Sequence, residues 1–83
     1  MIVKFHPHAK ERARERGATE DEIVATVERG EQFPAKHDRT GFRRNFAFNA
    51  TWNNRWYAAK QIEAYAVEEE GHWLVLTVIV KFY

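Results

Sequence analysis

The last eleven residues of the chain, 73–83, constrain the fold most strongly. They read WLVLTVIVKFY, a composition that is typical of a β-strand. On a regular strand, one face would carry five apolar residues: Leu74, Leu76, Val78, Val80 and Phe82. The opposite face would carry Val75 and Ile79 among others, so it is also largely apolar. We therefore expect a central strand that is covered on both sides.

Two helices are predicted near the start of the chain. Pro7 suits the first position of a helix, where its missing N–H costs nothing, and Gly17 suits the position just after the end. Thr19 and Glu22 have the spacing of a capping box, which marks the start of a second helix. Gly30 is expected to end that helix.

The rest of the chain predicts short strands that are joined by tight turns. Residues 2–5 form a strand candidate, and Pro34 indicates an edge strand. Residues 42–52 and 55–67 are expected to pair through a turn at Asn53 and Asn54, since asparagine tolerates positive φ. The predicted fold class is α+β: two N-terminal helices packed on one face of a mostly antiparallel sheet of about four strands.

Length and composition limit the class of protein. A chain of 83 residues predicts a single α+β domain over residues 1–83. There is no cysteine, which excludes disulfides and thiolate metal sites. The first residues lack the apolar stretch of a signal peptide, and no apolar run is long enough to span a membrane. We expect a cytoplasmic protein without a membrane partner.

Two helices can cover only one face of the predicted sheet. The other face, on which Tyr57, Tyr65 and Val67 are expected, needs cover of its own. A second copy of the chain would provide that cover. We therefore expect a homodimer that forms through the uncovered face of the sheet, although curling of the sheet is an alternative.

Basic residues concentrate in two segments, although the net charge is only +1. In the first helix, Arg12 and Arg16 follow His8 at helical spacing and share a face. In residues 42–60, cations alternate with aromatic rings, a pattern that suits single-stranded RNA because bases stack on rings and cations hold phosphates. The candidate nucleic-acid-binding residues are Arg12, Arg16, Arg43, Arg44, Arg55, Lys60 and Lys81. The alternative is that these cations form surface ion pairs and that the rings belong to the core.

A metal-free ribonuclease needs a base for the 2′-hydroxyl, cations for the phosphate and a proton donor for the leaving group. His8 or His37 would act as the base, and Tyr83 is the candidate donor. The alternative is that these residues are solvated ends of secondary structure. No metal site is predicted, because the pair His6 and His8 supplies too few ligands. The chain has no glycine-rich phosphate loop and no nucleophile elbow, so no cofactor is predicted.

Residues 8–17, HAKERARERG, resemble the opening of a small bacterial domain-of-unknown-function family whose members begin H-A-x-x-R-x-x-x-R-G. An aromatic strand at 44–48, a tryptophan hairpin at 52–57, Lys60 and an apolar end at 75–83 are similar as well. The order of elements is similar to that of the RelE/ParE/BrnT-like toxin superfamily, whose members cut RNA or poison gyrase. This resemblance implies a toxin-like ribonuclease with an antitoxin-like protein partner. The near-neutral charge departs from the basic composition that is usual for ribosome-dependent nucleases of that kind.

Two functional hypotheses follow from the sequence. The first is an RNA-binding or toxin-like ribonuclease domain of a toxin–antitoxin type. The second is a non-catalytic homodimeric protein-interaction module. The first predicts that the basic residues of the first helix and of residues 43–60 converge on one patch. The second predicts that they are scattered, or paired with the acidic second helix.

Overall fold

The computed structural model describes all 83 residues. The elements follow in the order β1 (Ile2–Phe5), α1 (Pro7–Arg16), α2 (Glu20–Arg29), β2 (Glu31–Pro34), β3 (Thr40–Trp52), β4 (Arg55–Glu69) and β5 (His72–Phe82). The strands form one sheet in the order β1-β5-β4-β3-β2. Strand β1 runs parallel to β5, and all other neighbours are antiparallel. The predicted α+β class is confirmed, but the sheet has five strands and is mixed.

The helix boundaries follow the capping signals in the sequence. Helix α1 starts at Pro7 and is terminated by Gly17, whose φ of 86° is accessible to glycine at little cost. Before α2, the hydroxyl of Thr19 accepts the N–H of Glu22 (3.1 Å), and Oε1 of Glu22 accepts the N–H of Thr19 (3.0 Å). The predicted capping box is therefore confirmed.

Both helices pack on the same face of the sheet. Helix α1 contributes only Ala9 and Ala13 to the core, and these small side chains let the helix approach β5 closely. Helix α2 contributes a wider buried stripe. The buried strand residues beneath them are Phe42, Ile62, Ala64, Ala66, Val75 and Val78. Neither helix has the length and apolar composition that crossing a membrane requires.

A β-bulge in β5 changes which residues share a face. Tyr65 pairs with Thr77, but the next residue, Ala66, pairs with Val75, so Leu76 is an extra residue. An extra residue moves every side chain beyond it to the opposite face. Val75 therefore lies in the core together with Val78. The regular alternation predicted for residues 73–83 is wrong for this reason.

The sheet face opposite the helices, called the open face below, has no covering element in this chain. Its side chains form rows across the strands. These rows are Lys4, Leu74 and Val67; Thr77, Tyr65, Gly41 and Phe33; Ile79, Glu63, Arg43 and Glu31; and Lys81, Gln61 and Asn45. As predicted, the two helices cover only one face of the sheet, and cover of the other face by a second copy of the chain stays a prediction. Antiparallel strands commonly leave one face to water, so the fold does not require a second layer.

Candidate functional site on the open sheet face

The carboxylate of Glu63 lies at the centre of a polar cluster on the open face. Only 7% of this residue is exposed, although no helix covers it. Its Oε1 accepts the hydroxyl of Tyr65 at 2.9 Å. Its Oε2 lies 3.6 Å from Nη1 of Arg43 and 3.9 Å from Nζ of Lys81. Both distances exceed hydrogen-bond length, so Oε2 keeps the capacity to accept a further hydrogen bond.

The two cations of this cluster differ in how firmly they are held. Arg43 donates to Glu31 at 2.8 Å, and its guanidinium lies 4.5 Å from the ring centroid of Phe33. The ammonium group of Lys81 makes no hydrogen bond, its one ion pair is the 3.9 Å contact with Glu63, and 63% of its side chain is exposed. Arg43 is therefore a fixed part of the cluster, whereas Lys81 is free to turn towards an anionic ligand.

Burial raises the pKa of Tyr65 above its ordinary value of 10.0. The hydrogen bond to Glu63 and the negative charge of that residue act in the same direction, and Arg43 opposes them. The phenol therefore remains protonated at neutral pH and serves as a hydrogen-bond donor.

A second group of polar side chains continues the cluster along the open face. Asn45 Oδ1 accepts hydrogen bonds from the hydroxyl of Tyr83 (2.7 Å) and from Nε2 of Gln61 (3.1 Å). Tyr83 is held in place by two backbone hydrogen bonds to Ala59, at 2.8 and 3.0 Å. Asn45 and Gln61 share a row with Lys81, next to the row of Glu63. The row next to that of Glu63 thus presents amide groups and a cation, and the hydroxyl of Tyr83 reaches this row through Asn45.

Lys60, a predicted RNA-binding residue, lies on the helix side and is 4% exposed. Its Nζ donates to the carbonyl of Gly17 (2.8 Å) and to Oε1 of Glu22 (2.7 Å). The ammonium group also lies 5.2 Å from the ring centroid of Phe48. Lys60 thus links the end of α1 and the start of α2 to the sheet. Its ammonium group contacts only groups of the chain itself.

Two predicted arginines also make structural contacts on the helix side. Nη1 of Arg16 donates to the carbonyl of Val78 at 2.6 Å, beyond the part of β5 that pairs with β1. Nη1 of Arg44 reaches the carbonyl of Ala25 in α2 at 3.5 Å. These guanidinium groups satisfy backbone carbonyls, so they join the helices to the sheet rather than extend the open-face cluster.

Three other candidates lie away from the open-face cluster. Arg12 is on the exposed side of α1, with Nη1 3.7 Å from Glu15. Arg55 is on the exposed β3–β4 hairpin, 5.8 Å from the ring centroid of Tyr57. His8 belongs to the first turn of α1, which is anchored by the hydrogen bond from the N–H of His6 to the carbonyl of Val75.

The structure does not bring the three predicted catalytic residues together. Tyr83 directly follows β5, eight residues and about 25 Å of extended chain beyond Val75, so it is far from His8. His37 belongs to the β2–β3 loop, at the edge of the sheet opposite β1, and lines a pocket with Tyr65. Of the predicted site residues, the open face and its adjoining pocket therefore hold His37, Arg43, Lys81 and Tyr83.

Sequence reasoning missed the central members of the cluster: Glu63, Tyr65, Asn45 and Gln61. The alternation of side chains along a strand could have predicted part of the cluster, because residues 61, 63 and 65 are alternate residues of one predicted strand and must share a face. The signal was obscured because these residues stand among the apolar residues of a long strand. Comparison of the chain with models of protein families, with curated proteins and with solved structures found no match.

Proposed function

We propose that the chain is an RNA-binding, toxin-like ribonuclease domain that holds single-stranded RNA on the open face. The observation that supports this proposal is the open-face cluster itself. On a face that nothing covers, Arg43 and Lys81 lie beside the Glu63 carboxylate, which accepts the hydroxyl of Tyr65. The hydroxyl of Tyr83 donates to Asn45 in the adjoining row. The convergence of the first helix with residues 43–60 on one patch is a wrong prediction, because only Arg43 and Lys81 of the predicted binding cations belong to the cluster.

The cluster contains the groups that metal-free phosphodiester transfer needs. The 2′-hydroxyl of the RNA would attack the neighbouring phosphorus and transfer its proton to Oε2 of Glu63. Arg43 and Lys81 would stabilise the charge that develops on the phosphate oxygens. Tyr83 would donate its proton to the 5′ oxygen as the bond between that oxygen and phosphorus breaks. The products would be a 2′,3′-cyclic phosphate and a free 5′-hydroxyl.

Binding is tested with a fluorescently labelled, short single-stranded RNA, by anisotropy over a range of salt concentrations. The variant is Lys81→Glu, and the matched control is Arg12→Glu on the helix side. Both substitutions reverse one charge on a side chain that is at least half exposed, 63% and 50% respectively. We expect Lys81→Glu to weaken binding and to reduce the slope of log affinity against log salt by about one. The Arg12→Glu control should retain the slope of the unmodified chain.

Two outcomes would contradict the proposal. One is the absence of RNA binding at low salt, and the other is an equal loss for both charge reversals. Cleavage is tested separately with Glu63→Gln in the presence of a chelator. We expect that variant to bind RNA and to lose cleavage, while circular dichroism shows that it remains folded. In this proposal an antitoxin-like protein would inhibit the domain by covering the open face.

A specific observation favours a second candidate, a non-catalytic homodimeric interaction module. The open face exposes Ile2 (69%) and Ile79 (37%), and Leu74 and Val67 lie on the same face of the sheet. Pairing of two such faces would bury this apolar surface. Light scattering at high micromolar concentration tests the idea: a dimer that Ile79→Glu dissociates would support it, and a monomer would contradict it.

A further inference from the structure

A pocket of about 370 Å³ adjoins the open-face cluster at the edge of the sheet. Phe33 and Tyr65 form its apolar wall, with ring centroids 6.1 Å apart in an edge-to-face arrangement. Gly41 lies beneath this wall, and a Cβ there would overlap the ring of Phe33. Since only glycine leaves that space, the absence of a side chain at this position allows the aromatic wall to form.

Three basic side chains border the same pocket: Lys36, His37 and Arg39. They are brought together by a tight loop in which the N–H of Arg39 donates to the carbonyl of Lys36 at 3.2 Å. His37 and the residue after it both have positive φ, 60° and 57°. None of the three side chains makes an ion pair or a hydrogen bond within the chain, in contrast to Arg43. These groups are therefore available to a ligand.

An apolar aromatic wall bordered by unpaired cations matches the two halves of a nucleotide. A base is planar and packs on aromatic rings, whereas a phosphate prefers cationic donors. The volume also lies within the range of small-molecule sites. Tyr65 belongs to both places, since its ring lines the pocket while its hydroxyl donates to Glu63.

We infer that this pocket is a nucleotide subsite, in which the base packs against Phe33 and Tyr65 and the phosphate binds Lys36 and Arg39. The inference rests on the proposed function in one respect: the nucleotide would belong to the RNA strand whose next phosphate lies at the open-face cluster. Glu63 and Tyr65 are alternate residues of one strand, about 7 Å apart, so the two places are adjacent.

The test is an NMR titration of the amide signals with adenosine 5′-monophosphate. Adenosine and inorganic phosphate are titrated separately, and each should bind more weakly than the nucleotide that joins them. The variant is the double substitution Lys36→Ser and Arg39→Ser. The matched control is Lys10→Ser and Arg14→Ser, two exposed cations of α1.

We expect the nucleotide to shift the signals of residues 35–39 and of Tyr65. The pocket variant should weaken its binding about tenfold, through loss of charge-assisted contacts, and the control should not. The inference would be overturned if the nucleotide shifted no amide signal, or only signals outside residues 35–39 and Tyr65. An equal loss of nucleotide affinity in the pocket variant and in the control would also overturn it. If the nucleotide binds here but no RNA binds, the pocket stands and the proposed function fails. If RNA binding depends on Lys81 but the pocket variant binds RNA with full affinity, the subsite inference fails and the proposed function stands.

Discussion

Replacement of Lys60 by methionine should destabilise the fold strongly, although methionine has a similar length and is apolar. The ammonium group is buried and donates to Glu22 at 2.7 Å and to Gly17 at 2.8 Å. Removing one partner of a buried ion pair costs about 3–5 kcal/mol, because the other charge is left unpaired. Glu22 has 25% of its side chain exposed and also accepts the N–H of Thr19, so water and this bond relieve part of the cost. We expect a loss of about 2–4 kcal/mol.

Urea denaturation, followed by far-ultraviolet circular dichroism, measures this loss. A domain of this size is stable by only about 4–12 kcal/mol, so the midpoint should fall markedly. The melting temperature should fall by about 10–25 °C. Lys81→Met is the matched control, and it should cost less than about 1 kcal/mol because its ammonium group is exposed to water and its only ion pair, at 3.9 Å, is long. If Lys60→Met were as stable as this control, the structural role assigned to Lys60 would be wrong.

Three further predictions concern other parts of the molecule. Thr19→Ala should lower the free energy of unfolding by about 1 kcal/mol, measured by urea denaturation, because the N–H of Glu22 loses its cap. Gly41→Val should displace Phe33 and abolish nucleotide binding in the NMR titration, because the added side chain would occupy the position of the ring. Because the pKa of Tyr65 is raised in the folded state, its contribution to stability should be complete below pH 10.0 and decline as the pH rises through the folded-state pKa. Tyr65→Phe should remove that decline between neutral and alkaline pH, and an unchanged pH profile would contradict the assignment.

Local signals were sufficient to predict the elements of the fold. Pro7, Gly17, the capping box and the asparagine turn act within a few residues, so their effect can be read without tertiary structure. The parallel pairing of β1 with β5 could not be predicted in this way, because it joins residues 2–5 to residues 72–75. The bulge at Leu76 was missed because the surrounding residues are apolar on either register.

The candidate site was harder to predict, because it depends on which face each residue occupies. Arg43 and Arg44 are neighbours in the sequence, yet one lies on the open face and the other donates to α2. Lys60 was predicted to be a surface cation, but the ends of the two helices supply two acceptors that allow its burial. Contacts of Arg44 and Lys60 with α2 are the outcome that the interaction-module hypothesis predicts. The RNA-binding proposal therefore depends on the residues of the open face alone.

The measurement that tests this proposal most directly is photochemical cross-linking of the chain to a short single-stranded RNA that contains 4-thiouridine. Mass spectrometry then identifies the attached residues. The proposal predicts cross-links to aromatic residues of the open face and its pocket, namely Phe33, Tyr65 and Tyr83. Trp56 is the internal control, since it is 59% exposed on the hairpin tip and lies outside the cluster. Cross-links confined to Trp56 or to α1, or no cross-link at low salt, would contradict the proposal.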